Sequence, residues 1–513
     1  MRDGQRVREQ LAQVLSGQSH GELAAFLEGN IEDLLSTPDV PEVYQLLRER
    51  EWPAAPLPSR LIVAWMAFMS GDNAQMFALL GSIHETELIS PEVSSLFYAL
   101  KALVSGMIDR QEAQRYAQIA LDVLPEHEHT LYLANAKLTY GQIMAGADQY
   151  RRAAEMFHSA HDIFQERGLQ FLAMIALVNE LLNRFHLGEL QAVVDRCNQA
   201  LLMSGNFTGQ AEDFWNVVHL PLGMCYYELG KPHLAVTHLQ QCKQSIDRIK
   251  MLHLHGLIEA YLFKSHYLLA DRAGLQAMRD QAAATFGHLH YPQMDLLIAM
   301  FRILATERPQ DVEQADIDLF ELAYTQDLDG HSVVPEVLVW LQLQGLSDLI
   351  EPEDLEQRLK KFKYIGNIPR VQLTELQLAE LYLQLGQQKQ AEVHLRSAVQ
   401  LWREHGICAC FGTLPLRSLE RIRQLDRKLH GLLSKARPAA VEAVEPQDAL
   451  LSAREREIVQ LMAQGKTNAD ISQKLFISVG TIKWHINKIF SKLEVTNRVQ
   501  AIEKAKALRE IVE

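Results

Sequence analysis

From the N-terminus to about residue 435, apolar side chains recur at intervals of three and four, the period that lays a stripe along one face of an α-helix. Several of these stretches open with the same turn. Leu187-Gly188-Glu189 precedes QAVVDRCNQAL, Leu229-Gly230-Lys231 precedes HLAVTHLQQC, and Leu385-Gly386-Gln387 precedes QAEVHLRSAVQLW. Looser copies stand at Gly71-Asp72, Gly106-Met107, Gly146-Ala147 and Ala270-Asp271. The anchors at 71, 106, 146, 188, 230 and 271 lie 35, 40, 42, 42 and 41 residues apart, and turns near Pro309 and Gly345 carry the rhythm on to Gly386. A repeat of this length, with a helix on each side of its turn, predicts tetratricopeptide-like helical hairpins stacked into a solenoid. Ala192, Ala235 and Ala391, close behind their turns, are expected to let paired helices approach closely.

Beyond residue 450 the pattern changes to four short helices. Ser452 with Glu455 forms a capping-box pattern ahead of a helix starting near Ala453, whose apolar positions are Ile458, Leu461 and Met462 and whose stop is Gly465. Asn468 is expected to cap a second helix carrying Ile471 and Leu475. Ser478 is expected to cap a third, with Ile482, Ile486, Ile489 and Leu493 spaced by four, three and four. Its other side holds Gly480, Lys483, Trp484, Asn487, Lys488 and Ser491, with Lys492 beside them, a mixture suited to a groove wall and phosphates. Asn497, with Gln500 three residues on, caps a fourth helix through Val499, Ile502 and Ala505. Two helices joined by a short connection, the second one basic, predict a helix-turn-helix unit. The expected fold class is therefore all-α: a helical-hairpin solenoid followed by a four-helix helix-turn-helix domain.

The run SAREREIVQLMAQGKTNADISQKLFISVGTIKWHINKIFSKLEVTNR resembles the LuxR-type DNA-binding domain in its RERE opening, in GKTNADISQKL and in the TIKWHINKI helix. The resemblance implies base contacts by Lys483, Trp484 and Asn487. Lysine can donate to guanine acceptors and asparagine can pair bidentately with adenine. Backbone contacts are expected from Thr467, Asn468, Ser478, Thr481, Lys488 and Lys492. Double-stranded DNA is the implied partner, with RNA polymerase as a further one and a homodimer paired through Arg498 to Leu508. The whole arrangement is also similar to the large LuxR-type regulators related to the maltotriose-responsive activator MalT, around LLREREWPAAPLPSRLIVAWMAFMSGDNAQMFALL. It departs from them in lacking a nucleotide-binding loop. Gly465-Lys466-Thr467 imitates the end of such a loop, but Gln460 occupies the position where its first glycine belongs.

Charge modifies this picture. The chain of 513 residues carries a net charge of −14, yet from Leu450 onward 11 Lys and Arg face 7 Asp and Glu, so the tail holds +4 and the rest −18. The stretch Pro438 to Pro446 has the composition of a linker. The expected organisation is an N-terminal helical cap over 1–60, a repeat sensor or interaction domain over 61–435, a linker over 436–449 and the DNA-binding domain over 450–513.

At 48% apolar residues, with no long uncharged apolar stretch and no apolar opening segment, the expectation is a soluble, cytoplasmic protein. Cys197, Cys225, Cys242, Cys408 and Cys410 are scattered and odd in number, which suits reduced thiols. No cofactor or metal is expected. The pairs His253-x-His255 and His288-x-His290 have no metal spacing on a helix, and His266 stands alone. Trp215, Tyr226, Tyr227, Tyr261 and Tyr267 supply aromatic surface to the array, mostly as packing between hairpins. With no nucleophile motif, phosphate loop or metal constellation, an enzyme is not expected. The reading is a sequence-specific transcriptional regulator whose solenoid senses an effector or partner and controls the tail. The alternative is a repeat-based interaction protein that titrates or scaffolds another regulator.

Overall fold

The computed structural model describes residues 9–15, 20–36, 40–50, 52, 55–106, 108–125, 130–204, 210–249, 254–286, 292–306, 308–326, 333–438, 453–475, 482, 483, 486, 489, 490, 493, 495 and 497–507. Those residues form helices and turns and contain no strand. Residues 9–15 are helical, and the helices His20–Gly29, Ile31–Ser36 and Val40–Gln45 follow. Nine hairpins follow among the described residues. Their first helices are Leu57–Met69, Pro91–Ser105, Leu131–Gly146, Gln170–His186, His219–Glu228, His255–Leu268, Pro292–Ala305, Val333–Gln344 and Ile368–Gln384. The returning helices are Asn73–Gly81, Arg110–Asp122, Tyr150–Glu166, Leu190–Ser204, Pro232–Ile249, Arg272–Phe286, Gln314–Thr325, Pro352–Ile365 and Gln388–His405. Every turn anticipated from the sequence spacing falls between the two helices of one hairpin.

The turns repeat because one backbone solution closes most of them. A residue in the left-handed region ends the first helix, and two amides then reach back to carbonyls that the helix leaves unpaired. At the fourth hairpin Gly188 (φ 73°) donates to Phe185 O at 2.9 Å and Glu189 to Arg184 O at 3.1 Å. The fifth does the same through Gly230, and the third and sixth hold Asp148 (φ 60°) and Ala270 (φ 50°) in that place. In six hairpins the residue five positions beyond the left-handed one is buried: Met76, Ala153, Val193, Ala235, Leu275 and Ala391. Ala235 and Ala391, expected at such positions, are both buried. Ala192 is exposed, and Val193, five residues beyond Gly188, is buried in its place.

The array curves back on itself. The ends of the ninth hairpin dock onto the turns of the fourth and fifth: Leu187 packs on Gly366, and Leu229 on Gly406. A Cβ at Gly188 would lie 2.8 Å from Ile368 Cβ and 2.9 Å from His405 Nδ1. Cys408 N donates to Glu228 O at 2.7 Å, and Asn367 Nδ2 lies 3.4 Å from both Tyr150 Oη and His186 Nδ1. Inside this seam Gln372 Nε2 donates to Ala398 O and Ile407 O at 3.0 and 2.8 Å, so a buried amide binds the two ends of the ninth hairpin. The short helices Ala409–Gly412, Leu416–Leu425 and Arg427–Ala436 finish the body. Pro438 then rests against the Gly230 turn.

Candidate nucleic-acid interface

The C-terminal domain has a hydrophobic core of its own. Ile458, Val459, Leu461 and Met462 of the helix Ala453–Ala463 meet Ile471, Ile482, Ile486, Ile489, Leu493, Ala501 and Ala505. The first helix stops where the sequence placed its stop, at Gly465 (φ 76°), with Gly465 and Lys466 donating to Met462 O and Leu461 O at 3.1 Å each. The helix Asn468–Leu475 is capped differently from expectation. Thr467 is the cap residue: its hydroxyl accepts from Asp470 N at 3.2 Å, while the Asp470 carboxylate accepts from Thr467 N at 2.9 Å and from the Thr467 hydroxyl at 2.8 Å. These bonds hold the Asp470 carboxyl below its ordinary range, the backbone amide of Thr467 contributing most. Asn468, expected as the cap, lies one residue inside the helix, because the reciprocal pair needs an acceptor three residues ahead and Asp470 stands three after Thr467.

The third helix of the domain is described at Ile482, Lys483, Ile486, Ile489 and Phe490. Its isoleucines are buried and Lys483 is exposed, so the expected division between a packed side and an outward cationic position is present at these residues. Trp484, Asn487, Ser478, Thr481, Lys488 and Lys492 lie outside the described residues, as does Ser452. The exposed Lys466, just ahead of the second helix, and Lys474, in its last turn, add positive charge.

Sequence reasoning missed the role of Arg498. The fourth helix, Arg498–Ala507, is capped by Asn497, whose Oδ1 accepts from Gln500 N at 3.0 Å as expected. Arg498 itself turns back onto the first two helices, donating to Met462 O at 3.2 Å, to Lys466 O and to Asn468 Oδ1 at 3.4 Å. It thereby fixes the turn that leads into the second helix. The signal was available in principle, since helix carbonyls ending at a glycine stop need a donor and a nearby arginine can supply several. Among the described residues the Asn468 amide N–H groups make no hydrogen bond, whereas the Thr467 hydroxyl both donates to and accepts from Asp470.

In the body, the aromatic residues singled out from sequence mostly pack between hairpins. Trp215 and Tyr227 are buried, and Tyr227 meets Tyr261 edge-on at 5.5 Å between ring centres. His255 pairs with Asp247 and His266 with Asp271, each at 2.8 Å, while His253, His288 and His290 fall outside the described residues. Among the described residues no three His, Cys, Asp or Glu side chains form a metal-holding group. The five cysteines are buried free thiols, and burial pushes those of Cys408 and Cys242 up to about 12. No helix among the described residues is long and apolar enough to cross a membrane.

Two short helices joined through a glycine stop and a capping box, followed by a helix that buries isoleucines and turns a lysine outward, define a helix-turn-helix domain. Residues 449–505 match the family of bacterial regulatory proteins, luxR family, so this is a luxR-type DNA-binding domain. The chain is 44% identical over 79 residues to the transcriptional regulatory protein LiaR of Bacillus subtilis, covering 15% of this chain and 36% of that one. It is 35% identical over 129 residues to the transcriptional activator protein SolR of Ralstonia solanacearum, covering 23% and 53%. The chain thus spans about a third to a half of the length of these relatives. In shape it is similar to the apo form of RapI, with TM-score 0.44 and 13% identity over 78% of this chain and 97% of that one. It is likewise similar to the apo form of the quorum sensor NprR from B. thuringiensis, with TM-score 0.43 and 11% identity over 78% and 99%.

Proposed function

We propose that the chain is a sequence-specific transcriptional regulator, in which the luxR-type domain reads double-stranded DNA and the repeat array senses an effector or protein partner. The observation that carries this reading is the exposed Lys483 on a helix whose Ile482, Ile486 and Ile489 are buried, inside a segment matching a family of DNA-binding regulators. In this reading Lys483, Trp484 and Asn487 face base edges, while Asn468, Ser478, Thr481, Lys488 and Lys492 position the domain on phosphates. Thr467 belongs to the same rim, but its hydroxyl serves the cap. Its contribution is to hold the second helix in place. The array acts on the domain through the segment around 436–449.

Selection of DNA from a random duplex pool by the full-length protein tests the proposal. The protein should enrich one sequence motif, and Lys483→Ala should lose about 1 to 3 kcal/mol of discrimination at one or two positions of it. Lys474→Ala, by contrast, should weaken binding to all sequences alike if it contacts phosphate. A pool that shows no enrichment would sink the reading and favour an interaction protein.

A further inference from the structure

Where the first helices of the first four hairpins come together they enclose a cavity of about 220 Å³. Every residue that lines it belongs to Leu57–Met69, Pro91–Ser105, Leu131–Gly146 or Gln170–His186, and none of them carries a charge. That sets it apart from the rest of the array. A smaller cavity of about 140 Å³ farther along is lined by the Lys243–Glu259 ion pair, and the first helices of the sixth and eighth hairpins are joined by Lys264 and Glu336 at 2.6 Å.

The wall has an aromatic side and a polar side. Trp65 and Phe68 meet edge-on at 6.2 Å between ring centres, and Trp65 Nε1 donates to Leu96 O at 2.9 Å, so the indole is held in place and its donor is spent. The polar side comes from Leu131–Gly146, where Asn135 and Thr139, four residues apart, share one side of the helix. Thr139 is 1% exposed, yet its hydroxyl makes no hydrogen bond among the described residues, and neither does the Asn135 side-chain amide. A hydroxyl buried without a partner costs free energy that a ligand bonding to it recovers. Water can reach these two groups, but against the remaining apolar wall it is poorly held, and an apolar body displaces it with a gain.

Size and charge narrow the occupant. An apolar cavity of roughly 150 Å³ accepts benzene, so by proportion this one accepts about nine non-hydrogen atoms. A charged ligand would lose its hydration and find no opposite charge in the wall. Aromatic rings pack well edge-on against Trp65 and Phe68, and a hydroxyl can both donate to and accept from an amide and an alcohol. The cavity is also tied to the seam. Ile175 in its wall and His186, which stacks on Tyr150 and faces Asn367 of the ninth hairpin, stand 11 residues apart on one helix, about 16 Å by the helical rise.

We propose that this cavity binds an uncharged aromatic alcohol, its ring against Trp65 and Phe68 and its hydroxyl on Thr139 and Asn135, and that this molecule is the effector of the regulator. The effector role rests on the regulator reading above, and the binding itself does not.

The test uses full-length protein with 2-phenylethanol, and with 2-phenylethylammonium chloride and sodium phenylacetate as charged counterparts of similar shape, in thermal melting and calorimetric titration. The alcohol should bind saturably and raise the melting temperature, while the two ions do neither. Thr139→Val should weaken its binding about fivefold, the share of one hydrogen bond, and leave the melting temperature of the free protein unchanged, since the hydroxyl has no partner in the fold. Ile175→Phe, which fills the cavity, should abolish binding, and Thr237→Val on an exposed helix face should not alter it. If Ile175→Phe does not fold, Thr139→Val decides by the same comparison. The alcohol should also change affinity for the selected DNA in the parent protein, and in Thr139→Val only at correspondingly higher concentration. Equal binding of the alcohol and either ion, or of the alcohol to the parent and both cavity variants, overturns the site, as does no binding at all. Saturable binding with unchanged DNA affinity overturns the effector role. Either failure, in a protein that still selects a DNA motif, leaves the regulator reading standing, whereas loss of motif selection strikes that reading and leaves the cavity's ligand to the calorimetry.

Discussion

His186 shows how one residue joins parts of the chain far apart in sequence. Its ring stacks on Tyr150 at 4.6 Å between centres, and Nδ1 faces the Asn367 amide at 3.4 Å, a donor that requires a neutral, accepting nitrogen. Burial lowers its pKa to about 4, with Arg370 adding to the effect and Asp148 opposing it. A histidine depressed in the folded state contributes stability that is complete above its unfolded value of about 6.5 and is lost as pH falls through 4. Glu228 and Glu380, both pushed up to about 7 mainly by burial, act in the opposite sense: their protonated forms suit the fold, and stability falls as pH rises from 4.5 through 7. The seam histidine is therefore read from a difference. His186→Gln, which cannot protonate, should gain on the parent protein by on the order of 1–2 kcal/mol between pH 6.5 and 4 in denaturant titrations, the figure reduced because the ring is only partly buried. A parallel pH profile for the two proteins would contradict this account.

At the scale of the hairpin, the same turn occurs in two settings, and their comparison isolates the closing of the array. Gly188 and Gly386 have nearly equal φ values, 73° and 75°, but a Cβ on Gly188 would run into Ile368 and His405, while one on Gly386 would meet nothing within 4 Å. Gly386→Ala should cost about 1–2 kcal/mol, the left-handed strain alone. Gly188→Ala should cost about 1–3 kcal/mol more, as overpacking does, and equal losses in thermal or denaturant unfolding would show that the seam yields freely. This contrast also marks what the sequence could reveal. The hairpins were legible because the left-handed position favours glycine and recurs about every forty residues. Leu187-Gly188, Leu229-Gly230 and Leu385-Gly386 look alike in sequence, yet the first two leucines are docked on Gly366 and Gly406 and Leu385 is exposed. Their docking partners lie well over a hundred residues away, beyond any local pattern. The same holds in the tail. The packed side of the domain's third helix was legible from its period, but the cap at Thr467 and the cross-helix bonds of Arg498 depend on pairings that periodicity does not encode.

For the whole molecule, the question is whether an array of net charge −18 governs a tail of +4. General repulsion between the array and DNA phosphates is one route, and it is weak where charges are exposed, since the screening length is about 8 Å at physiological salt. Direct masking of the tail by the array is another, and salt affects it far less when the contact is packed. The two separate in one experiment. A protease site inserted between residues 439 and 449 allows the tail to be released in the same tube, and affinity for the selected DNA is measured before and after cleavage at 50 and 200 mM salt. Repulsion alone predicts a gain on cleavage that shrinks strongly at the higher salt, beyond the loss common to all phosphate contacts. Masking predicts a gain of similar factor at both. We expect the second, because Pro438, the last residue of the body described before the tail, rests against the Gly230 turn of the seam. For an effector to move such an equilibrium from 1:99 to 99:1, it must prefer the released state by about 5.5 kcal/mol. The cleavage gain measures the most that such an effector can deliver, and unchanged affinity at both salts would mean that the array exerts no hold on the tail.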